Sequence, residues 1–92
     1  MSETKAIHAR SEGRVQGVSF RAWTQAQARA RGLRGWVRNE PDGAVTAVVA
    51  GRAEAVDDMV TALEEGPTAA VVTGVDVSGT DWPGGNGFDI LR

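Results

Sequence analysis

Polar and apolar residues alternate in several short segments of the chain, which is typical of half-buried β-strands. In the first segment, Ile7, Ala9 and Ser11 share one face, and His8 and Arg10 lie on the other. The strands predicted in this way cover residues 5–12, 33–39, 44–50, 70–78 and 88–91.

A tight turn is predicted between the second and third of these strands. Residues 40–43 read Glu-Pro-Asp-Gly, with proline where a turn requires its fixed φ and glycine where φ is expected to be positive. The two strands therefore form a hairpin.

Two further segments are predicted to be helices. The first is Ala-rich and covers residues 20–31, with Ser19 as its predicted N-cap and Gly32 as its end. Its buried face is ambiguous because alanines surround it. The second covers residues 52–65, and its apolar stripe has helical spacing: Ala53, Val56, Met59, Val60 and Leu63.

The order of elements is β-α-β-β-α-β, followed by a short extra strand. Two βαβ halves joined in this order predict a four-stranded antiparallel sheet with both helices on one face. This is the ferredoxin-like fold of the α+β class. We expect residues 1–92 to form a single domain, with residues 1–4 as a flexible tail.

Composition limits the chemistry. The 92 residues include no cysteine, which excludes disulfide bonds and thiolate catalysis. The amino terminus has no apolar signal segment, and no apolar run approaches the ~20 residues that span a membrane. We therefore expect a cytoplasmic protein that does not interact with membranes.

Charge is unevenly distributed along the chain. Eight of the ten lysines and arginines lie within residues 5–39, which contain one acid, Glu12, whereas ten of the twelve acids follow residue 39. A basic half can steer a small anion or contact nucleic acid. Electrostatic attraction between the basic and the acidic half of the fold explains the uneven charge equally well, and the sequence does not distinguish between these two explanations.

Residues 13–21, GRVQGVSFR, form the stretch with the clearest chemical character. A glycine-containing loop that leads into a helix directs backbone N–H groups and partial positive charge toward an anion. The first turn of this helix contains Arg21 and no acid, whereas the second helix carries Glu54, Asp57 and Asp58 near its start. An arginine is unfavourable beside the helix dipole unless a bound anion completes the site, so the stretch favours a phosphate-like ligand. An arginine whose charged end simply extends into solvent is the alternative.

Other kinds of site are not indicated. The loop lacks the Gly-Lys-Ser/Thr of a nucleotide-binding P-loop and the GxGxxG of a dinucleotide site. His8 is the single histidine, and no carboxylates cluster at ligand spacing. We therefore expect no metal and no cofactor.

Asn39 is the second candidate residue, at the end of a predicted strand. Its carboxamide can orient a water, and it approaches the phosphate loop if its strand lies beside the first strand. A turn-forming role before residues 41–43 is the better interpretation from the residues alone. Glu40 and Asp42 are weak candidates for a general base because an exposed turn is expected there.

Two motifs together resemble the signatures of the acylphosphatase family. Residues 13–21 are similar to the first signature, and residues 35–45, GWVRNEPDGAV, with Gly51 are similar to the second. The Gly-Pro pair at residues 66–67 and the Phe-x-Ile ending at residues 88–90 also fit. Arg31 and Arg92 depart from the family pattern, outside the two motifs.

The resemblance implies hydrolysis of the carboxyl-phosphate bond of acyl phosphates to a carboxylate and inorganic phosphate, without metal or cofactor. It implies that Arg21 binds the phosphate and that Asn39 positions the attacking water. It also implies that backbone N–H groups cradle the phosphate oxygens, and these belong to Gln16, Gly17, Val18, Ser19 and Phe20. We expect a monomer that acts on a small molecule and does not bind nucleic acid.

Two other functions remain as alternatives. One is a non-catalytic ferredoxin-like module that binds an anion or RNA, since Arg34, Trp36 and Arg38 fall on a face of the sheet that no helix covers. RNA-binding domains of this fold stack bases on aromatic residues of the two central strands, where this chain offers His8 and Val45 or Thr46. The other is an acylphosphatase-like part of a larger carbamoyl-transfer assembly, which the length of 92 residues disfavours.

Overall fold

The computed structural model describes residues 3–92, which form five strands and two helices. Their bounds agree with the sequence prediction to within two residues. The elements are β1 (Thr4–Arg14), α1 (Phe20–Ala30), β2 (Arg34–Asn39), β3 (Val45–Arg52), α2 (Ala53–Glu65), β4 (Val71–Gly79) and β5 (Phe88–Ile90).

The predicted tail at residues 1–4 is described only in part. Met1 and Ser2 lie outside the described residues. Thr4 already belongs to β1, and the carbonyl of Glu3 accepts a hydrogen bond of 2.8 Å from the backbone N–H of Ala53. Residues 3 and 4 therefore belong to the folded domain.

The strands form one sheet in the order β4-β1-β3-β2-β5. The first four strands pair antiparallel, as the sequence predicts, and β5 pairs parallel to β2, which makes the sheet a mixed one of five strands. α1 packs against β2 and β5, α2 packs against β1, β3 and β4, and both share one core on the same face of the sheet, so the predicted ferredoxin-like class is confirmed.

The condition under which the sequence places Asn39 near the phosphate loop is not met. β2 does not lie beside β1, because β3 pairs with both of them and occupies the position between. The crossover through α1 carries the chain past one strand position, and the hairpin then returns β3 into that position. Asn39 reaches the phosphate loop by another route, described below.

The hydrophobic core lies between the sheet and the helices. The ambiguity in α1 is resolved: Phe20, Thr24 and Ala28 are buried, and Trp23 is half-buried with its ring 5.4 Å from that of Phe20. The buried Thr24 satisfies its hydroxyl by donating to the Phe20 carbonyl at 2.8 Å. From α2, the core takes three residues of the predicted stripe, Val56, Met59 and Leu63, whereas Ala53 and Val60 are half-buried.

The two glycines of the first motif have different structural roles. Gly13 has a φ of 116° at an irregular step between β1 and β4, where an added Cβ would lie 2.1 Å from the backbone oxygen of Val71. Gly17 has a φ of 74°, and no atom lies within 4 Å of its added Cβ. Gly13 is therefore needed for both space and conformation, and Gly17 for conformation alone.

We expect alanine at Gly13 and at Gly17 to lower the free energy of unfolding by different amounts. Gly13→Ala forces two strands apart and should lower the free energy of unfolding by about 3 kcal/mol or more. Gly17→Ala adds only the penalty of a left-handed backbone, about 1–2 kcal/mol. Urea unfolding of the two variants measures the difference, and equal losses would contradict the contrast.

Candidate active site

Three strands end at the same edge of the sheet, where α1 begins. β1 and β2 are both antiparallel to β3 and therefore run in the same direction, and β5 runs parallel to β2. Their last residues are Arg14, Asn39 and Ile90. The loop after β1 then leads into Phe20, the first residue of α1.

An open cleft of about 400 Å³ lies at this edge. It brings together Arg21, in the first turn of α1, and Asn39, at the end of β2, although β2 does not pair with β1, the strand that leads into the loop. Three other predicted site residues line it, whereas Gln16 and Val18 do not. The full lining consists of Val15, Gly17, Ser19, Phe20, Arg21, Ala22, Asn39 and Ile90.

The loop leaves backbone donors available beside the cleft. The first N–H groups of any helix have no partner within the helix. In the described part of the chain, five successive backbone N–H groups donate to no acceptor, those of Gly17, Val18, Ser19, Phe20 and Arg21. The i to i−4 hydrogen bonds of the helix begin with Trp23, whose backbone N–H donates to the Ser19 carbonyl at 3.0 Å. Together with the helix dipole, these donors favour an anion.

Ser19 departs from its predicted role. It occupies the N-cap position, but its φ of 61° and ψ of 25° are left-handed, and within residues 3–92 its hydroxyl makes no capping hydrogen bond. A left-handed conformation costs a residue with a side chain about 1–2 kcal/mol. Strain of this kind is concentrated at functional sites. Here it leaves the helix N-terminus open to a ligand rather than filled by a side chain.

Arg21 brings an uncompensated positive charge to the cleft. It is half-buried in the first turn of α1, which contains no acid. Among residues 3–92, no carboxylate lies within 4.0 Å of its guanidinium, whereas Lys5, Arg10, Arg38 and Arg52 each have such a partner. A guanidinium beside open backbone donors forms a favourable site for a phosphate group.

The side chain of Gln16 connects the loop to the turn after Asn39. Its Nε2 donates to the carbonyls of Glu40 at 2.8 Å and Ala44 at 2.9 Å. The sequence prediction named Gln16 only for its backbone N–H and missed this role. No local pattern signals it, because the partners are 24 and 28 residues away along the chain.

We expect Gln16→Met to lower kcat/KM about tenfold while the fold is kept. The change removes two half-buried hydrogen bonds, each worth about 0.5–1.5 kcal/mol, and releases the loop from the strand end that carries Asn39. Steady-state kinetics and urea unfolding measure the two effects.

Gln27→Met is the matched control for this variant. Gln27 accepts a hydrogen bond of 2.7 Å from Arg31 Nη1 and does not line the cleft. Its loss should affect stability without affecting activity. Full activity of Gln16→Met would show that the link does not position the site.

The turn between β2 and β3 is held by ion pairs. Arg10 binds the carboxylate of Asp42, and the Glu40 carboxylate accepts from Thr46 Oγ1 at 2.5 Å and Arg38 Nε at 2.7 Å. The Thr46 hydroxyl and then Arg38 lower the pKa of Glu40, and Arg10 lowers the pKa of Asp42. Both carboxylates are thus engaged in the turn outside the cleft lining, which does not suit them to act as a general base.

The remaining candidates for acid–base or metal chemistry lie elsewhere. His8 is on the sheet face away from the helices, with its ring edge-on to Trp36 at 6.4 Å. In the part of the chain that the structure describes, no three His, Cys, Asp or Glu residues are grouped closely enough to hold a metal ion. The same part contains no helix that is long and apolar enough to cross a membrane.

The chain is thus a ferredoxin-like domain with a cleft at one sheet edge whose donors and charge suit an anion. Comparison with known proteins identifies the family. The family model described as Acylphosphatase matches residues 7–90. Solved structures agree: the acylphosphatase from Bacillus subtilis superposes with a TM-score of 0.91 at 33% identity, over 98% of this chain and 100% of that one.

Curated relatives share the same name. An acylphosphatase from Mesorhizobium japonicum is 47% identical over 88 residues, which are 95% of this chain and 94% of the relative. One from Haloquadratum walsbyi is 47% identical over the full length of both chains. The chain belongs to the acylphosphatase family, and the recognition made from the two motifs is confirmed.

Proposed function

We propose that this chain is an enzyme that hydrolyses the carboxyl-phosphate bond of acyl phosphates at the cleft beside α1. Membership of the acylphosphatase family supports the reaction. The observation that carries the site assignment is that Arg21, Asn39 and residues of the phosphate loop line one cleft. The products are a carboxylate and inorganic phosphate.

In this proposal, the phosphate group binds at the N-terminus of α1. Arg21 donates to its oxygens, and the loop contributes the backbone N–H groups of Gln16, Gly17, Val18, Ser19 and Phe20. These donors are fixed before the substrate arrives, so they stabilise the charge that spreads over the equatorial oxygens during transfer. Phosphate binding also explains why the first turn of α1 contains no acid, because a carboxylate there would compete with the phosphate for the same donors.

Asn39 orients the attacking water on the same phosphate. Its carboxamide oxygen accepts a hydrogen bond from the water, which aligns the water oxygen with phosphorus and the departing carboxylate oxygen. The P–O bond to the acyl group breaks, and the electron pair leaves with the carboxylate. A phosphate oxygen takes the proton that the water loses, because no carboxylate or histidine of residues 3–92 lines the cleft. Such a leaving group needs little acid catalysis.

We further propose that residues 1–92 act as a single domain and a monomer in the cytoplasm, without metal or nucleic acid. Cysteine is absent, which suits a reducing compartment. The central strands β1 and β3 present His8, Thr46 and Val48 on the uncovered face, a poor platform for stacking RNA bases. Light scattering and titration with single-stranded RNA test these points, and a dimer or salt-dependent RNA binding would overturn them.

The reaction is tested with acetyl phosphate in the presence of EDTA. We expect release of acetate and inorganic phosphate in equal amounts, far faster than in buffer, with the same rate before and after chelation. Hydrolysis no faster than in buffer would overturn the proposed function. A rate that depends on added Mg²⁺ would overturn its metal-free form.

A further inference from the structure

Ile90 lines the cleft, and the roles proposed so far do not use it. It ends β5 and pairs with Val37 of β2, and the backbone N–H of Leu91 fixes this register by donating to the Val37 carbonyl at 2.8 Å. Asn39 lies two residues farther along β2, about 7 Å at the usual strand rise. The side chain therefore borders the same cleft as Arg21 and Asn39.

Ile90 is the largest apolar side chain that a ligand in this cleft can touch. Val15 and Phe20 also line the cleft, but only 1% and 2% of their surface is exposed, because both belong to the core. Ile90 is 37% exposed. Ala22, the other exposed apolar residue of the lining, offers a single methyl group.

We propose that Ile90 contacts the acyl substituent of the substrate and gives the enzyme a preference for bulky apolar or aromatic acyl phosphates. The inference rests on the proposed function. The charged and polar lining suits the phosphate, which leaves the substituent to meet the apolar wall. In-line attack places the acyl group on the side of phosphorus away from the water, and in this proposal the substituent then lies against the exposed side chain of Ile90 at the rim of the cleft.

This contact predicts a characteristic kinetic effect. The substituent touches Ile90 both before and during the transfer, so the contact lowers KM and leaves kcat nearly unchanged. Acetyl phosphate offers one methyl group, whereas benzoyl phosphate offers a ring. Truncation of Ile90 should therefore affect the two substrates unequally.

The test compares wild type with Ile90→Ala, Ile90→Leu and the control Leu91→Ala on benzoyl phosphate and acetyl phosphate. For Ile90→Ala we expect kcat/KM for benzoyl phosphate to fall about tenfold through KM, and that for acetyl phosphate to change less than about twofold. Ile90→Leu should retain most of the preference. Leu91 is 36% exposed and does not line the cleft, so its truncation should leave the ratio unchanged.

Inhibition by inorganic phosphate separates substrate contact from a structural effect. Phosphate has no acyl substituent, so its inhibition constant should be the same in wild type and Ile90→Ala. An equal loss with both substrates, a weaker phosphate inhibition, or an unchanged ratio would overturn the assignment of Ile90 while the enzyme remains an acylphosphatase. A wild type that hydrolyses neither substrate would instead overturn the proposed function.

Discussion

Arg21→Ala is expected to lower kcat/KM for acyl phosphates about 10³-fold and to keep the fold intact. The guanidinium is the one charged side chain in the cleft lining and has no carboxylate partner within residues 3–92, so its charge is available to the substrate. Loss of a single preorganised donor costs about 10²–10³ in rate, and loss of an arginine at a transferring phosphoryl group costs more. Inhibition by inorganic phosphate should weaken about 10- to 100-fold, because charge-assisted hydrogen bonds are lost.

Stability provides an independent signature of the same variant. Arg21 lies beside the positive end of the helix dipole, so its removal should leave the free energy of unfolding unchanged or raise it by up to about 1 kcal/mol. Arg29→Ala is the matched control, since Arg29 is exposed in the last turn of the same helix and does not line the cleft. Wild-type activity in Arg21→Ala, or equal losses in the two variants, would contradict the role of Arg21.

Asn39→Ala is expected to lower kcat about 10²-fold with little change in phosphate inhibition. In the proposed mechanism the carboxamide acts on the water rather than on the phosphate, and misplacement of a reactant by about 1 Å costs a factor of this size. Asn39 is exposed at the end of β2, so the loss of its side chain should cost little stability. Steady-state kinetics and competition by inorganic phosphate separate this variant from Arg21→Ala.

Two companion variants sharpen the prediction for Asn39. Asn86→Ala removes the chain's other asparagine, which is exposed in the loop before β5, and should keep full activity. Asn39→Asp keeps the size of the side chain but adds negative charge near the phosphate, so both kcat and phosphate inhibition should fall. If Asn39→Ala weakened phosphate binding as strongly as Arg21→Ala, Asn39 would be a phosphate ligand and its assignment to water would be wrong.

The sequence predicts the elements and the fold well, because both depend on local patterns. Alternation and helical spacing place each strand and helix to within two residues of its observed bounds. The absence of an acid near Arg21 is also a local feature, and it indicates an anion site from the residue types alone. The stripe of α2 is predicted for the same reason, since Val56, Met59 and Leu63 repeat at helical spacing.

Features that join distant segments could not be predicted in this way. The cleft brings Arg21 of α1 close to Asn39 of β2 although β3 separates β1 from β2, and no short motif encodes this approach. The bridge from Gln16 to the turn after Asn39 joins residues more than twenty positions apart. Ser19 illustrates a different limit: its residue type predicts a capping side chain, but the loop holds it in a left-handed conformation that turns the N-terminus into an open site.

Isotope labelling tests the central claim most directly, namely that water attacks phosphorus held by Arg21 and the loop. Acetyl phosphate is hydrolysed by the wild-type enzyme in water enriched in ¹⁸O, and the products are analysed by ³¹P NMR and mass spectrometry. The account predicts one ¹⁸O atom in the inorganic phosphate and none in the acetate. Label in the acetate would mean attack at the carbonyl carbon and would contradict the roles of Arg21 and Asn39.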